Sequence, residues 1–183
     1  MDRNNELDLL KKSKTGDTTA FKILVETHQT FAFRVAFRML GSEEDSMDIV
    51  QESFIRVWKN LNKYNHEIKF TTWLYKIVTN LCLDQLKMKK RKKYNHTIQV
   101  DFIKNISNDD GMEKQIVNDD LASFVKVLSE HLTPKQQVVF TLHFLEEKSM
   151  DEISRITGMK KGNIKSNIYY ARKNMQEMIE KMM

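Results

Sequence analysis

Apolar residues recur at three- and four-residue intervals along most of this chain. That is the rhythm of helices that bury one face. A short polar helix is expected at about residues 5–14, broken by Gly16 and Asp17. Phe21, Leu24, Val25, Phe31, Val35 and Met39, with His28 among them, mark a long helix over roughly Thr18–Leu40. Its four Phe residues, at 21, 31, 33 and 37, read as core rather than as base-stacking platforms. Gly41 stops this helix and Ser42 caps the next. Glu43, Glu44 and Asp45 then supply acids to a first turn, where the helix dipole favours them. In that third helix Met47, Val50, Phe54, Val57, Trp58 and Leu61 are expected on the buried face. Asp48, Gln51, Glu52 and Arg56 are expected outside, with Glu52 and Arg56 at ion-pair spacing.

Residues 60–69, NLNKYNHEIK, read as a loop. The helix after it, capped by Thr71 or Thr72, turns Leu74, Ile77, Val78, Leu81 and Cys82 inward. Thr72, Lys76, Thr79, Asn80 and Leu83 are expected on its other side. From Tyr94 to Gly111 the rhythm stops and Asn, Asp and Ser cluster, as in a linker. Extended, its 18 residues reach about 60 Å at roughly 3.3 Å each.

Periodicity resumes near residue 113. Val117, Leu121, Phe124, Val125 and Leu128 form one stripe. Thr133 caps a helix with Pro134 at its first position and Val138, Val139, Leu142 and Leu145 inward. Ser149 and Glu152 fit a capping box that opens a short helix to Ile156. Thr157-Gly158-Met159 is a tight turn. A last helix over about residues 160–182 turns Ile164, Ile168, Ala171, Met175, Met178 and Met182 inward.

Only 5 Gly and 1 Pro interrupt 183 residues, which favours an all-α fold over a β-rich one. The pattern predicts two small helical domains joined by a flexible linker, with a helix-turn-helix in the second: residues 1–93, a linker at 94–111, and residues 112–183. Short helix, glycine turn and longer helix, over residues 150–170, are the helix-turn-helix signature. The second helix is then the candidate reader of a major groove.

Charge sharpens that reading. Net charge is +5, a mild excess that permits an anionic partner without requiring one. The distribution says more. Lys87, Lys89, Lys90, Arg91, Lys92 and Lys93 put six bases in seven residues. Two readings fit this block: a nucleic-acid surface, or a solvated helix end complementing the dipole. Between Glu152 and Glu177 stand Arg155, Lys160, Lys161, Lys165, Arg172 and Lys173 with no acid, and there an anionic ligand is favoured. Lys161, Asn163, Lys165, Ser166 and Asn167 offer hydrogen bonds to base edges or phosphates.

Other chemistries find little support. The single cysteine, Cys82, reads as a small buried hydrophobe and excludes an intramolecular disulfide. The five histidines show no metal-ligand spacing, so no metal or cofactor is expected. There is no nucleophile elbow and no phosphate loop, which argues against an enzyme. No window approaches an 18-residue apolar run and the N-terminus carries no signal core, so a cytoplasmic protein without membrane insertion is expected.

Three blocks in order resemble the extracytoplasmic-function, or group-four, sigma factors of bacterial transcription initiation. AFRMLGSEEDSMDIVQESFIRVW resembles the core-binding part of sigma domain two, and FTTWLYKIVTNLCLDQLKMKKR its promoter-melting and minus-ten part. LTPKQQVVFTLHFLEEKSMDEISRITGMKKGNIKSNIYYARKNM resembles sigma domain four, which binds the minus-thirty-five element.

The resemblance implies a transcription initiation factor that binds RNA polymerase core, directs it to promoters and helps melt the minus-ten DNA. It implies core contacts at Asp48, Ile49, Val50, Gln51 and Glu52, with Val50 and Phe54 structural. The partners implied are the β′ clamp helices, the β flap, promoter DNA and an anti-sigma factor. For minus-ten DNA it points to Asn62, Lys63, Tyr64, Lys69, Thr72, Trp73, Lys76, Asn80, Leu83, Lys87, Lys90 and Arg91. The loop over residues 60–69 corresponds to the one that captures a flipped base. For the minus-thirty-five element it points to Lys160, Lys161, Asn163, Lys165, Ser166, Asn167, Tyr170 and Arg172. The sequence departs from the family at Ser154, Lys160, Asn163 and Asn167, so the base-reading face is where its specificity differs. A stand-alone helix-turn-helix regulator is the alternative; it leaves the Asp48–Arg56 face and the basic block without a purpose.

Overall fold

A computed structural model of the chain describes residues 3–100 and 116–182, with side chains over 3–93 and 120–181. All regular structure among them is helical. Helices α1 (Arg3–Lys14), α2 (Thr18–Leu40), α3 (Glu43–Asn60) and α4 (Phe70–Val100) form the first unit, with a 3₁₀ turn at Leu61–Lys63. Helices α5 (Ile116–His131), α6 (Pro134–Phe140), α7 (Met150–Thr157) and α8 (Lys161–Met182) form the second, with a π-helical turn at Thr141–Leu145.

Ser42, Thr133 and Ser149 cap helices as expected. Thr71 and Thr72, expected to cap α4, instead lie inside it, because the helix already starts at Phe70. Asp17 adds a cap that the sequence reading took only as a break. Asp17 accepts hydrogen bonds from the backbone N–H groups of Thr19 and Ala20. Ser42 accepts from Asp45 N. Thr133 with Gln136, and Ser149 with Glu152, form reciprocal capping boxes. Gly41 ends α2 at φ 63°, and a Cβ there would also meet Val125 Cβ at 3.0 Å. Glycine is thus favoured twice over, by the left-handed backbone and by the close approach of α5.

Helix α4 continues to Val100, past Lys93. Nothing between Lys87 and Val100 breaks a helix, since Lys, Arg and Gln are good helix formers and neither Gly nor Pro occurs. Residues 101–111 of the expected linker, and the expected helix start near 113, lie outside the described residues.

The two units pack on each other. One apolar cluster joins Leu81, Leu83 and Leu86 of α4 to Val138, Val139, Leu142, Ile153 and Ile156 of the second unit. Helix α4 is therefore buried on two sides. Phe70, Leu74, Val78 and Cys82 lie on one of them, and Tyr75, Thr79, Leu83 and Leu86 on the other. Gln137 Nε2 donates to Met39 O at 3.0 Å, and Lys90 Nζ donates to Leu132 O at 2.9 Å. A smaller cluster of Leu128, Leu132, Ala171 and Met175 holds α5 to α8.

Three expectations about facing are corrected. Leu83 and Thr79, placed on the open side of α4, are buried. A helix packed against a second unit needs a second apolar stripe, and Tyr75, Thr79, Leu83 and Leu86 supply it at four- and three-residue steps. In α3 the inward face is Ser46, Ile49, Ser53, Phe54 and Val57, while Met47 is 58% exposed and Trp58 sits at the edge against Phe21. In α5 Val125 and Leu128 are buried but Phe124 is exposed.

Candidate nucleic-acid and polymerase-binding surfaces

Four surfaces gather the residues singled out in the sequence. The first is the outer face of α3. Asp48 and Gln51 are exposed there and Glu52 is half-buried. Arg56 Nε donates to Glu52 Oε1 at 2.9 Å. Ile49 is only 6% exposed and sits in the core, and Val50 is half-buried against it, so neither offers a free side chain. Met47 and Ile55 (46% exposed) stand out instead. Sequence reading put Met47 inward and passed over Ile55. The signal was available: Ser46, Ile49 and Ser53 recur at three and four, and small serines suit close packing of helices.

The second surface is the loop before α4. Its exposed rim is Asn62, Lys63, Asn65 and Lys69. Tyr64, expected to meet DNA, is buried. Its hydroxyl donates to Ile68 O at 2.6 Å, and its ring lies 5.0 Å from Trp73 and 6.0 Å from Phe70. Burial raises the Tyr64 phenol above its ordinary value. Asn65 closes an Asx turn, accepting from Glu67 N at 3.0 Å. Behind the loop, Lys14 of α1 donates to Tyr64 O at 3.2 Å and lies 3.2 Å from His66 Nε2. Sequence reading gave α1 no part in this site. Contacts that span 50 and 52 positions have no signature along the chain.

The third surface continues along α4. Thr72 and Lys76 are exposed, and Trp73 and Asn80 are half-buried. Leu83, at 8% exposure, is covered by the second unit. Lys87 pairs with Asp84 at 3.0 Å, and Lys89 with Asp45 of α3. Lys90 and Arg91 are exposed. Part of the basic block thus serves the fold: Lys89 closes the α3–α4 junction and Lys90 reaches Leu132 O. Burial disfavours an ionised Asp45. Hydrogen bonds from Lys89, Ser42 and Gln85 outweigh it and hold the carboxyl below the ordinary carboxylate range.

Thr72 and Tyr75 also border a hollow whose opposite wall is Glu146, Lys148, Glu152 and Arg155 of the second unit. Lys148 Nζ stands 5.5 Å from the centre of the Tyr75 ring. Burial first, then the Glu146 carboxylate, raise the Tyr75 phenol and keep it protonated. Cys82 faces the core, where burial raises its thiol.

The fourth surface is the helix-turn-helix. Gly158, at φ 73°, turns the chain between α7 and α8. Ser154 Oγ donates to Met159 O at 2.8 Å, and Thr157 Oγ1 accepts from Met159 N at 3.2 Å. The serine at position 154 therefore closes the turn. Ile153, Ile156, Ile164 and Ala171 are buried, which orients α8. Lys161, Asn163, Lys165, Ser166, Tyr170 and Arg172 are all exposed on it, as is Lys160 just before it, and Asn167 is half-buried. Some donors are already engaged. Asn167 Nδ2 donates to Asn163 O at 2.7 Å, Ser166 Oγ to Gly162 O at 3.0 Å, and Lys161 pairs with Asp151. That last pair lowers the Asp151 carboxyl. Tyr169, 63% exposed, joins this face and was missed by periodicity.

Behind α8, Phe124, Phe140, Phe144, Met175 and Ile179 line an apolar groove. Phe140 and Phe144, four residues apart on one helical face, lie 4.7 Å apart between ring centres.

Comparison with known proteins follows the same division. Residues 24–92 match the family described as Sigma-70 region 2, and residues 126–175 match Sigma-70, region 4. The chain is 30% identical over 176 residues to the "ECF RNA polymerase sigma factor SigW" of Bacillus subtilis, covering 93% of this chain and 94% of that protein. It is 28% identical over 181 residues to the "ECF RNA polymerase sigma-E factor" of Haemophilus influenzae, covering 96% and 95%. Among solved structures, CnrH in complex with the cytosolic domain of CnrY has a similar fold, with a TM-score of 0.61 at 21% identity over 96% of this chain and 97% of that one. The sigma factor RpoE in complex with the anti-sigma factor NepR from Bartonella quintana does too, with a TM-score of 0.58 at 22% identity, over 87% and 96%.

Proposed function

Because the chain belongs to the extracytoplasmic-function sigma factors of RNA polymerase, we propose that it recruits polymerase core to promoters and opens them without catalysing a reaction itself. The observation that carries this reading is the pairing of region 2 and region 4 matches, each holding an exposed polar or basic face. A stand-alone regulator needs only the second.

In this reading Asp48, Gln51 and Glu52 dock on the β′ clamp helices, with Met47 and Ile55 as apolar anchors beside them. Aliphatic groups ringed by polar ones suit such a contact, because burying them excludes water from the polar pairs. The apolar groove of the second unit takes the β flap. An anti-sigma factor competes for these surfaces. Residues 1–93 act as the melting unit and 112–183 as the minus-thirty-five unit, in the cytoplasm. Among the described residues no helix is long and apolar enough to cross a membrane.

At the promoter, Lys161, Lys165 and Arg172 hold phosphates of the minus-thirty-five duplex, while Asn163 and Ser166 reach base edges. Lys87, Lys90 and Arg91 hold the backbone near the minus-ten element. The loop rim and Thr72, Trp73, Lys76 and Asn80 hold the separated strand. Flipping one base out costs a few kcal/mol, and stacking in a protein pocket returns about 1–3 kcal/mol. The two are close enough that opening proceeds on binding energy. A strand entering beside Thr72 meets the wall formed by Glu146, Lys148 and Arg155, so the two units part before DNA is held there.

The test is thymine reactivity to permanganate on a cognate promoter, using core polymerase and this protein without nucleotides. Reactive thymines around minus ten support the reading. Opening that requires ATP hydrolysis would contradict it.

A further inference from the structure

The loop over residues 60–69 is held on one side by its own residues and on the other by α1. Within it, Tyr64 reaches Ile68 O and Asn65 turns the chain onto Glu67. From outside it, the ammonium of Lys14 reaches the Tyr64 carbonyl at 3.2 Å and His66 Nε2 at 3.2 Å. The same Nζ lies 5.9 Å from the centre of the Tyr64 ring. An ammonium has three donors and no lone pair. His66 Nε2 must therefore accept, so the ring is neutral with its proton on Nδ1. Burial, then Lys14, then Lys11, lower the His66 pKa in keeping with this. Lys14 itself is fixed at its base. It lies in the last turn of α1, which follows the buried Leu9 and Leu10 and in which Ser13 Oγ donates to Leu9 O at 2.7 Å.

We propose that Lys14 is a positioning residue for promoter melting: from α1 it pins residues 64–66 and so sets the rim, Asn62, Lys63 and Asn65, against which the unpaired minus-ten base is held. This rests on the reading of residues 60–69 as the base-capturing loop. The geometry favours pinning over direct DNA contact. Lys14 is half-buried and its ammonium is already shared between a carbonyl and an imidazole, whereas Lys63 and Lys69 on the same loop are exposed. A loop that selects a base must be held closely, because small displacements of a binding constellation weaken discrimination more than they weaken overall attraction.

The experiment is transcription by reconstituted holoenzyme from a promoter library randomised at the minus-ten element. Wild type is compared with Lys14→Met, Lys14→Arg and His66→Phe, and binding to core and to a minus-thirty-five duplex is measured alongside. Lys14→Met is expected to lower base preference at the captured position by about fivefold to tenfold, the scale of one lost charge-assisted hydrogen bond. Affinity for core and for the duplex stays within about twofold, since neither surface is touched. Lys14→Arg, which still donates to the Tyr64 carbonyl, keeps most of the preference. His66→Phe removes the acceptor without altering α1 and shows a similar loss, so it decides the matter if Lys14→Met folds poorly. Unchanged preference in both variants overturns the inference. So does a uniform loss across all minus-ten sequences with a salt slope reduced by about one, the mark of a phosphate contact. A wild type that initiates without any minus-ten preference overturns the loop reading itself, and the inference with it.

Discussion

Arg38 near the end of α2 and Glu146 just after the π turn meet across the two units, Nη1 to Oε1 at 2.6 Å, with Arg38 Nη1 also 3.3 Å from Leu145 O. The Glu146 side chain is 9% exposed and that of Arg38 34%. The π turn makes the contact possible: Glu146 N closes a wide turn on Thr141 O at 3.0 Å and carries its side chain toward α2.

Removing Arg38 leaves a carboxylate buried without its partner, and Arg38→Met is expected to weaken docking of the units by about 1–3 kcal/mol. Glu146→Gln keeps an acceptor and costs less. Small-angle scattering checks this. The radius of gyration should rise for Arg38→Met and less for Glu146→Gln; no change in either would show that the pair does not hold the units together.

Replacing both Lys161 and Lys165 with Ala should weaken minus-thirty-five binding and flatten its salt dependence by up to about two charges. Lys161 alone contributes less than Lys165, because it already pairs with Asp151 in the free protein. Titrations between low and moderate salt measure the slopes. A double variant with the wild-type slope would remove α8 from the phosphate backbone.

Replacing Asp48 and Gln51 with Ala, or Ile55 with Ser, should lower core affinity while leaving thermal unfolding almost unchanged, since all three side chains point outward. Each hot-spot contact is worth about 1–2 kcal/mol, or roughly tenfold. Wild-type core affinity in these variants would move the docking surface off α3.

Asp45 supplies a pH signature. Its folded carboxyl sits below the ordinary value, so it adds stability above the unfolded value of about 3.9. That stability is lost as the pH falls through the folded value. Asp45→Asn should thus be less stable than wild type at pH 7, with the gap closing at pH below about 4. Urea midpoints across pH 3–7 read this directly, and a constant gap would refute it.

The helices were legible because their caps are local. Ser42, Thr133 and Ser149 each speak for the two or three residues that follow. The helix-turn-helix was legible for the same reason, and α8 presents its predicted polar residues. What eluded the sequence depends on packing between distant parts. Leu83 and Tyr75 turn inward only because a second unit covers α4. Tyr64 is polar at its tip and apolar in its ring, and the loop uses both ends internally. Met47 and Ile55 are apolar yet exposed, so a hydrophobic rhythm assigns them to the core or overlooks them.

The central claim is that the protein supplies promoter specificity to polymerase core. Mapping start sites made by core plus this protein on fragmented genomic DNA tests it most directly. The account predicts protein-dependent starts at discrete positions, each preceded by a shared pair of elements near minus thirty-five and minus ten. Failure to direct core to any start site, in protein that still binds duplex DNA through α8, would contradict it.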